Sequence, residues 1–377
     1  MRLLLLLSLF ISLRYHHTSR QVTVPEKMMY CGIELTLTEG AQEKIQQHVK
    51  KLYENPRYFN LAVDKAETYM PFIEEAFQDA GVPDDLKYLA IQESNLQAEA
   101  VSSSNAVGFW QFKADPAREM GLRIDSLLDE RKHIFRSSQA AATYFNRANA
   151  DFNNWIYAVI AYYEGLTGGV QHTNPEYYGK KQMTVDENLH WYAMRALAYK
   201  IAYEEGMRIS SAPKTWLEPQ LATGPITLKE LAQKHSVKED DLFRANVWMV
   251  GKRIPIEVSA TYYLLRTGGY TAHKNDPAKF LPKTKPQPVV ASNTPKPTPI
   301  ATPPIIAKID SPKNVETPSE VLPTPRPTAS TSVNKQPLPT FSQPTEKSPA
   351  VSPQDLPPSA IATYNIEEDP LYDQEFT

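Results

Sequence analysis

Apolar positions recur at helical spacing through most of the first two hundred residues. Residues 41–53 carry Ile45, Val49 and Leu52 on one face, and residues 62–80 carry Phe72, Ile73, Ala76 and Phe77. The same spacing returns over 133–150 (Ile134, Ala140, Ala141, Tyr144, Phe145) and over 152–164 (Trp155, Val159, Tyr162, Tyr163). Asp186-Glu187 opens a further stretch to about residue 205, with Leu189, Tyr192, Ala193, Ala196 and Leu197. Residues 95–115 read as loop, broken by Ser102-Ser103-Ser104-Asn105 and by Gly108. No stretch in this region shows sustained period-two alternation, so the pattern predicts a mainly helical domain.

One short helix carries the candidate chemistry. Pro83, Asp84 and Asp85 supply start signals, and Leu86, Leu89, Ala90 and Glu93 then fall at i, i+3, i+4 and i+7. A carboxyl group therefore closes an apolar stripe. Burial there disfavours the ionised form, and the negative end of the helix dipole pushes the same way. A Glu held protonated near neutral pH can serve as a general acid. The plain alternative is a helix-terminal Glu turned out to water.

Beyond residue 215 the character changes twice. Residues 217–268 hold a second, smaller unit centred on two short helical stretches between Thr227 and Asn246, with Tyr262-Tyr263-Leu264-Leu265 as a possible last strand. After about residue 271 the chain is rich in Pro, Thr and Ser, and 20 of its 32 Pro lie between 281 and 360. Such a segment buries too little apolar surface to offset chain entropy, so 271–377 is expected to be extended and disordered. Its last stretch, 364–377, has five acidic residues, no basic one, and Leu371, Tyr372 and Phe376. It reads as a solvated acidic end or as a docking peptide for an envelope protein partner.

Composition narrows the chemistry. The 377 residues allow two domains, and 41% hydrophobic residues with 20 Tyr and 13 Phe suffice for a core. A net charge of −3 leaves no nucleic-acid footprint. Cys31 is the single cysteine, which rules out an intramolecular disulfide and a thiolate metal cluster. The eight His lack ligand spacing, so no metal site and no cofactor is expected. Met1-Arg2 followed by an apolar run over 3–13 fits a secretory signal over 1–21, or an uncleaved N-terminal anchor, and places the protein in the cell envelope, periplasmic or exported.

Three ordered segments carry a family resemblance: Glu93-Ser94, then Gly108-Phe109-Trp110-Gln111-Phe112, then Ala161-Tyr162-Tyr163-Glu164-Gly165. Together they resemble the motifs of family 1 lytic transglycosylases, and are most similar to the membrane-bound lytic transglycosylase D subgroup. Met70-Pro71-Phe72-Ile73-Glu74 and Asp129-Glu130-Arg131 extend the likeness. The resemblance implies a lysozyme-like domain over 22–210 and cleavage of peptidoglycan glycan strands between N-acetylmuramic acid and N-acetylglucosamine, with 1,6-anhydro ends. It makes Glu93 the acid and then the base. Ser94 would orient Glu93, contact sugar, or only cap its helix. Gly108 would let backbone approach a ligand. Gln111 would bind an N-acetyl group or tie down its own loop. Phe109, Trp110 and Phe112 would stack on sugar or fill the core, and Tyr162 would place its hydroxyl against Glu93 or pack elsewhere. The family usually has Asn where this chain has Tyr163, and Glu164 offers a second carboxylate that could position water for hydrolysis.

The centre of the second unit, Thr227 to Asn246, looks like the helix-loop-helix of a LysM domain, a fold of two helices on a two-stranded sheet that binds N-acetylglucosamine glycans. Its opening segment is reduced to Gly224-Pro225-Ile226-Thr227, so the unit either binds glycan or is a degenerate copy that only packs on the catalytic domain. Three functions stay open on these residues: a lytic transglycosylase, a lysozyme-type hydrolase on the same fold, and a non-catalytic wall-binding protein.

Overall fold

The computed structural model describes residues 22–210 and 214–268. The expected signal or anchor over 1–21 and the Pro-rich tail over 271–377 lie outside the described residues.

The first element of the described residues is a hairpin, β1 (Lys27–Tyr30) and β2 (Ile33–Leu37), whose two-residue turn is Cys31-Gly32. Both turn residues have positive φ (52° and 73°), the geometry of a type I′ turn, whose twist matches that of paired strands. Two long helices follow, α1 (Glu39–Glu54) and α2 (Pro56–Ala80). Thr38 caps α1 through its side chain, and Asn55 with Pro56 starts α2, which stops at Gly81 in the left-handed region. Next come α3 (Leu89–Ser94), entered through a 3-10 turn at Asp84–Tyr88, and α4 (Ala114–Glu119). The helical part closes with α5 (Ile134–Phe152), α6 (Trp155–Val170), strand β3 (Gln182–Val185) and α7 (Trp191–Ile209).

Helix α2 packs on α5, α5 on α6, and α1 on α7. Between them lies an aromatic core in which Phe77, Trp110, Phe145 and Tyr162 are linked by ring contacts. Among the described residues, three short strands accompany the expected helices before residue 205. Strand β2 pairs antiparallel with β1 and parallel with β3, and its residues Ile33, Leu35 and Leu37 are buried while Glu34 and Thr36 are not. The alternation is present, but it lasts only five residues.

The second unit runs through β4 (Thr215–Thr223), β5 (Ile226–Thr227), α8 (Leu228–His235), α9 (Glu239–Arg244), β6 (Arg253–Ile254) and β7 (Ser259–Thr267). Strands β4 and β7 pair antiparallel over their whole length, and β5 pairs with β6. The first strand is thus longer than the reduced opening segment suggests, because pairing begins at Thr215, well before Gly224. Helix α8 starts on a reciprocal capping box between Thr227 and Glu230. The architecture is a mostly helical domain with a smaller region of mixed strands.

This smaller unit is joined to the helical part by packing as well as by chain. Leu128 is buried in its core, and Leu217 and Tyr263 are buried in the helical core. The Asp129 N–H donates to the Trp248 carbonyl at 2.8 Å, and His133 Nε2 meets the Thr261 carbonyl at 3.0 Å. His133 also caps α5 by accepting from Arg136 N–H through Nδ1. One imidazole therefore ties α5 to β7, and burial pushes its pKa down to about 4, so it is held neutral.

Candidate active site

Glu93 lies in the last turn of α3 and is 8% exposed. Leu86, Leu89 and Ala90 are buried with it, as a single apolar face requires. The start signals act differently from caps. Neither Asp84 nor Asp85 caps the turn through its side chain; Asp84 pairs with Lys87, and Asp85 with Lys200 while accepting from the Cys31 N–H. These contacts pin α3 to α7 and to the hairpin. Burial pushes the Glu93 carboxyl up to about 7, against the opposing pull of a hydrogen bond from Tyr192 and the positive field of Arg195.

The Tyr192 hydroxyl donates to Glu93 Oε1. The sequence places Tyr192 on the apolar face of its helix, where a tyrosine reads as core. Nothing in that spacing distinguishes it from Tyr199 or Tyr203, and only the crossing of α7 over α3 brings its hydroxyl to the acid. Tyr162, the phenol expected against Glu93, is fully buried and donates instead to the Trp110 carbonyl at 2.7 Å. Its helix points the ring into the aromatic core, so the hydroxyl reaches the backbone of the 108–112 loop.

The remaining expected residues also serve the loop. Ser94 Oγ lies 2.9 Å from the Phe109 carbonyl and 3.2 Å from that of Ala90, fastening the end of α3 to the loop. Gln111 is buried and donates through Nε2 to the carbonyls of Gly108 (2.9 Å) and Ala100 (3.3 Å), tying down its own turn. Phe109, Trp110 and Phe112 are all buried, so none offers a ring face to solvent. Gly108 has φ +84°, and a Cβ there would stand 2.1 Å from the Arg131 carbonyl oxygen. The close approach this glycine permits is that of the 129–133 backbone. Arg131 holds the other side, paired bidentately with Asp129 and donating to the Phe112 carbonyl at 3.2 Å. Gly108→Ala is expected to destabilise the fold by about 2 kcal/mol or more, through both left-handed strain and the clash, as read by urea unfolding.

Tyr163, in place of the family Asn, is buried and stacks on Tyr192 with ring centroids 5.0 Å apart; it meets Trp191 edge-on at 4.9 Å. The large phenol thus walls the residue that touches Glu93. Glu164 is paired with His190, with Oε1 and Nε2 3.4 Å apart. The arrangement as a whole is a buried acid of raised pKa, one phenol donating to it, and a loop locked behind it.

The family profile "Transglycosylase SLT domain" matches residues 70–184. Residues 70–184 are a transglycosylase SLT domain. Glu93, the 108–112 loop and the Tyr162–Glu164 segment all lie inside the SLT domain, and Tyr192 lies just beyond the matched range. A relative from Alteromonas sp. (strain M-1), named "Putative tributyltin chloride resistance protein", is 26% identical over 98 residues. That match covers 26% of this chain and 47% of the relative, so the chain spans about half the length of the curated relative it matches. Among the described residues, no helix is long and apolar enough to cross a membrane.

Proposed function

We propose that this chain is a peptidoglycan lytic transglycosylase, cleaving the β-1,4 bond between N-acetylmuramic acid and N-acetylglucosamine and leaving 1,6-anhydro ends. The observation that carries the reading is the Glu93 carboxyl, buried in an SLT domain and pushed up to about 7. At neutral pH a large fraction of it holds its proton. It donates that proton to the glycosidic oxygen as the bond breaks. The substrate's own N-acetyl group stabilises the oxocarbenium-like state. The resulting carboxylate takes the proton of the C6 hydroxyl, whose oxygen closes onto C1. One group serves both steps and no water is consumed, unlike the paired carboxylates of most glycosidases. Ser94, Gly108, Gln111 and Tyr162 hold the loop that backs this acid.

Tyr192 tunes the exchange. Its hydrogen bond favours the carboxylate, so it helps Glu93 release the first proton and opposes retaking it. Tyr192→Phe removes that bond and raises the Glu93 pKa further. Turnover is expected to fall roughly ten-fold, and the alkaline limb of the pH–rate profile to move to higher pH. An unmoved limb would show that the phenol does not act on this carboxyl.

The second carboxylate, Glu164, is engaged with His190, which favours intramolecular closure over water activation. The unit over 217–268 serves as a LysM-like module, either gripping glycan or bracing the 129–133 segment against the loop. The domain order, SLT then LysM-like, accords with the D subgroup, and the N-terminal run with a place in the cell envelope. Mass spectrometry of purified sacculi digested by the full chain tests the reading. Anhydro ends are expected. Reducing ends would make it a hydrolase, and no released muropeptides would make it a wall-binding protein.

A further inference from the structure

We propose that Glu164, His172 and His190 form a binding site for a divalent cation of the zinc class. The three residues are scattered in sequence, which is why their spacing carries no ligand signature. The fold brings one ligand atom of each within 4.8 Å of the others. This inference goes beyond the reading of the reaction and does not depend on it.

Each residue arrives by a separate local device. Gly165 leaves helical geometry directly after Glu164 (φ 78°, ψ 160°), and so redirects the segment of chain that leads on to His172. Gly168 leaves room for it, since a Cβ there would stand 3.2 Å from Glu164 Cβ and 3.5 Å from its Oε2. His172 sits in the turn that ends α6, its N–H bonded to the Gly169 carbonyl at 2.9 Å. His190 is the N-cap of α7.

The donor set selects the ion. Two imidazoles and one carboxylate suit zinc and its neighbours, whereas magnesium and calcium prefer oxygen alone. Bonds of about 2.0–2.1 Å in a tetrahedral ion put its ligands about 3.4 Å apart. Glu164 Oε1 and His190 Nε2 already stand 3.4 Å apart. His172 is exposed and lies past the end of its helix, so its ring can close the remaining gap by rotation. With three protein ligands, water completes the fourth position.

A simple ion pair explains less. It needs one imidazole, yet His172 lies against His190 with ring centroids 4.7 Å apart. Two protonated rings at that separation repel, and a second neutral ring adds nothing to the pair. A cation satisfies all three groups together. It also competes with a contact seen here, because His190 Nδ1 accepts the Tyr192 N–H at 3.3 Å and so leaves the ring hydrogen on Nε2. A cation on Nε2 moves that hydrogen to Nδ1 and releases the cap.

The test is calorimetric titration of the chelator-stripped full chain with ZnCl2, in parallel with His172→Ala and Glu164→Gln. The wild-type chain is expected to show a site that either substitution weakens at least ten-fold, and that excess Mg²⁺ does not displace. The metal-free melting temperature of His172→Ala should equal that of wild type, because the side chain is exposed; that variant keeps the test sound if Glu164→Gln folds poorly. Equal zinc binding by wild type and His172→Ala would assign the binding to other imidazoles, such as His16-His17, and would overturn the site. So would the absence of zinc binding by wild type.

Discussion

Glu93→Gln is expected to lower the release of muropeptides from sacculi by roughly 10²- to 10⁴-fold, the range that a positioned general acid contributes. The amide keeps the shape of the carboxyl and can still take a hydrogen bond from Tyr192, but it has no proton to give at neutral pH. Because Glu93 is 8% exposed, the substitution is confined to a buried, isosteric change. Circular dichroism should be unchanged, and binding to insoluble peptidoglycan should persist. That pairing of outcomes separates chemistry from recognition. A variant that still cuts at near wild-type rate would move the acid elsewhere. A variant that neither cuts nor binds would show that the carboxyl grips the glycan, and would remove the argument that its protonation state matters.

Much of this site can be read from the chain, and what cannot has a physical reason. The apolar stripe of Leu86, Leu89 and Ala90 leads to Glu93 because a helical face is a local property, fixed by the pitch of the helix. Ser94 and Gln111 are also legible as residues, since a polar group beside a buried acid must find partners. Which partners is a matter of tertiary structure. Both turn out to bond to carbonyls of the 100–109 backbone, and only the folded loop reveals that. Tyr162 and Tyr192 show the limit more sharply. Each occupies an apolar helical face, and each is buried. Helix crossing alone decides that the first reaches Trp110 and the second Glu93. The strand Ile33–Leu37 is open to sequence reading by its alternation, but five residues are a short sample. Its parallel partner, Gln182–Val185, is some 150 positions away in the chain and leaves no local mark.

The same carboxyl should also leave its mark on stability, in a direction that distinguishes it from an ordinary surface acid. Its ordinary pKa is 4.5, and in the fold it is pushed up to about 7 by burial. Between those values the folded chain holds a proton that the unfolded chain has released. Stability from this group is therefore full below about pH 4.5, falls as pH rises, and is lost once pH passes about 7. A gap of about 2.5 pKa units corresponds to about 3 kcal/mol. His133 works the other way. Burial pushes it from 6.5 down to about 4, so its contribution is full above pH 6.5 and is lost as pH falls toward 4. The two trends oppose each other in wild type, so a single pH–stability curve isolates neither. The difference between wild type and Glu93→Gln removes the His133 term, since that ring is common to both. Unfolding by urea at pH 5 and at pH 8 should show the variant gaining about 2–3 kcal/mol on wild type across the interval, most of the full gap. A difference that does not grow with pH would mean that Glu93 is ionised in the fold, and a carboxylate already ionised has no proton to offer a glycosidic oxygen.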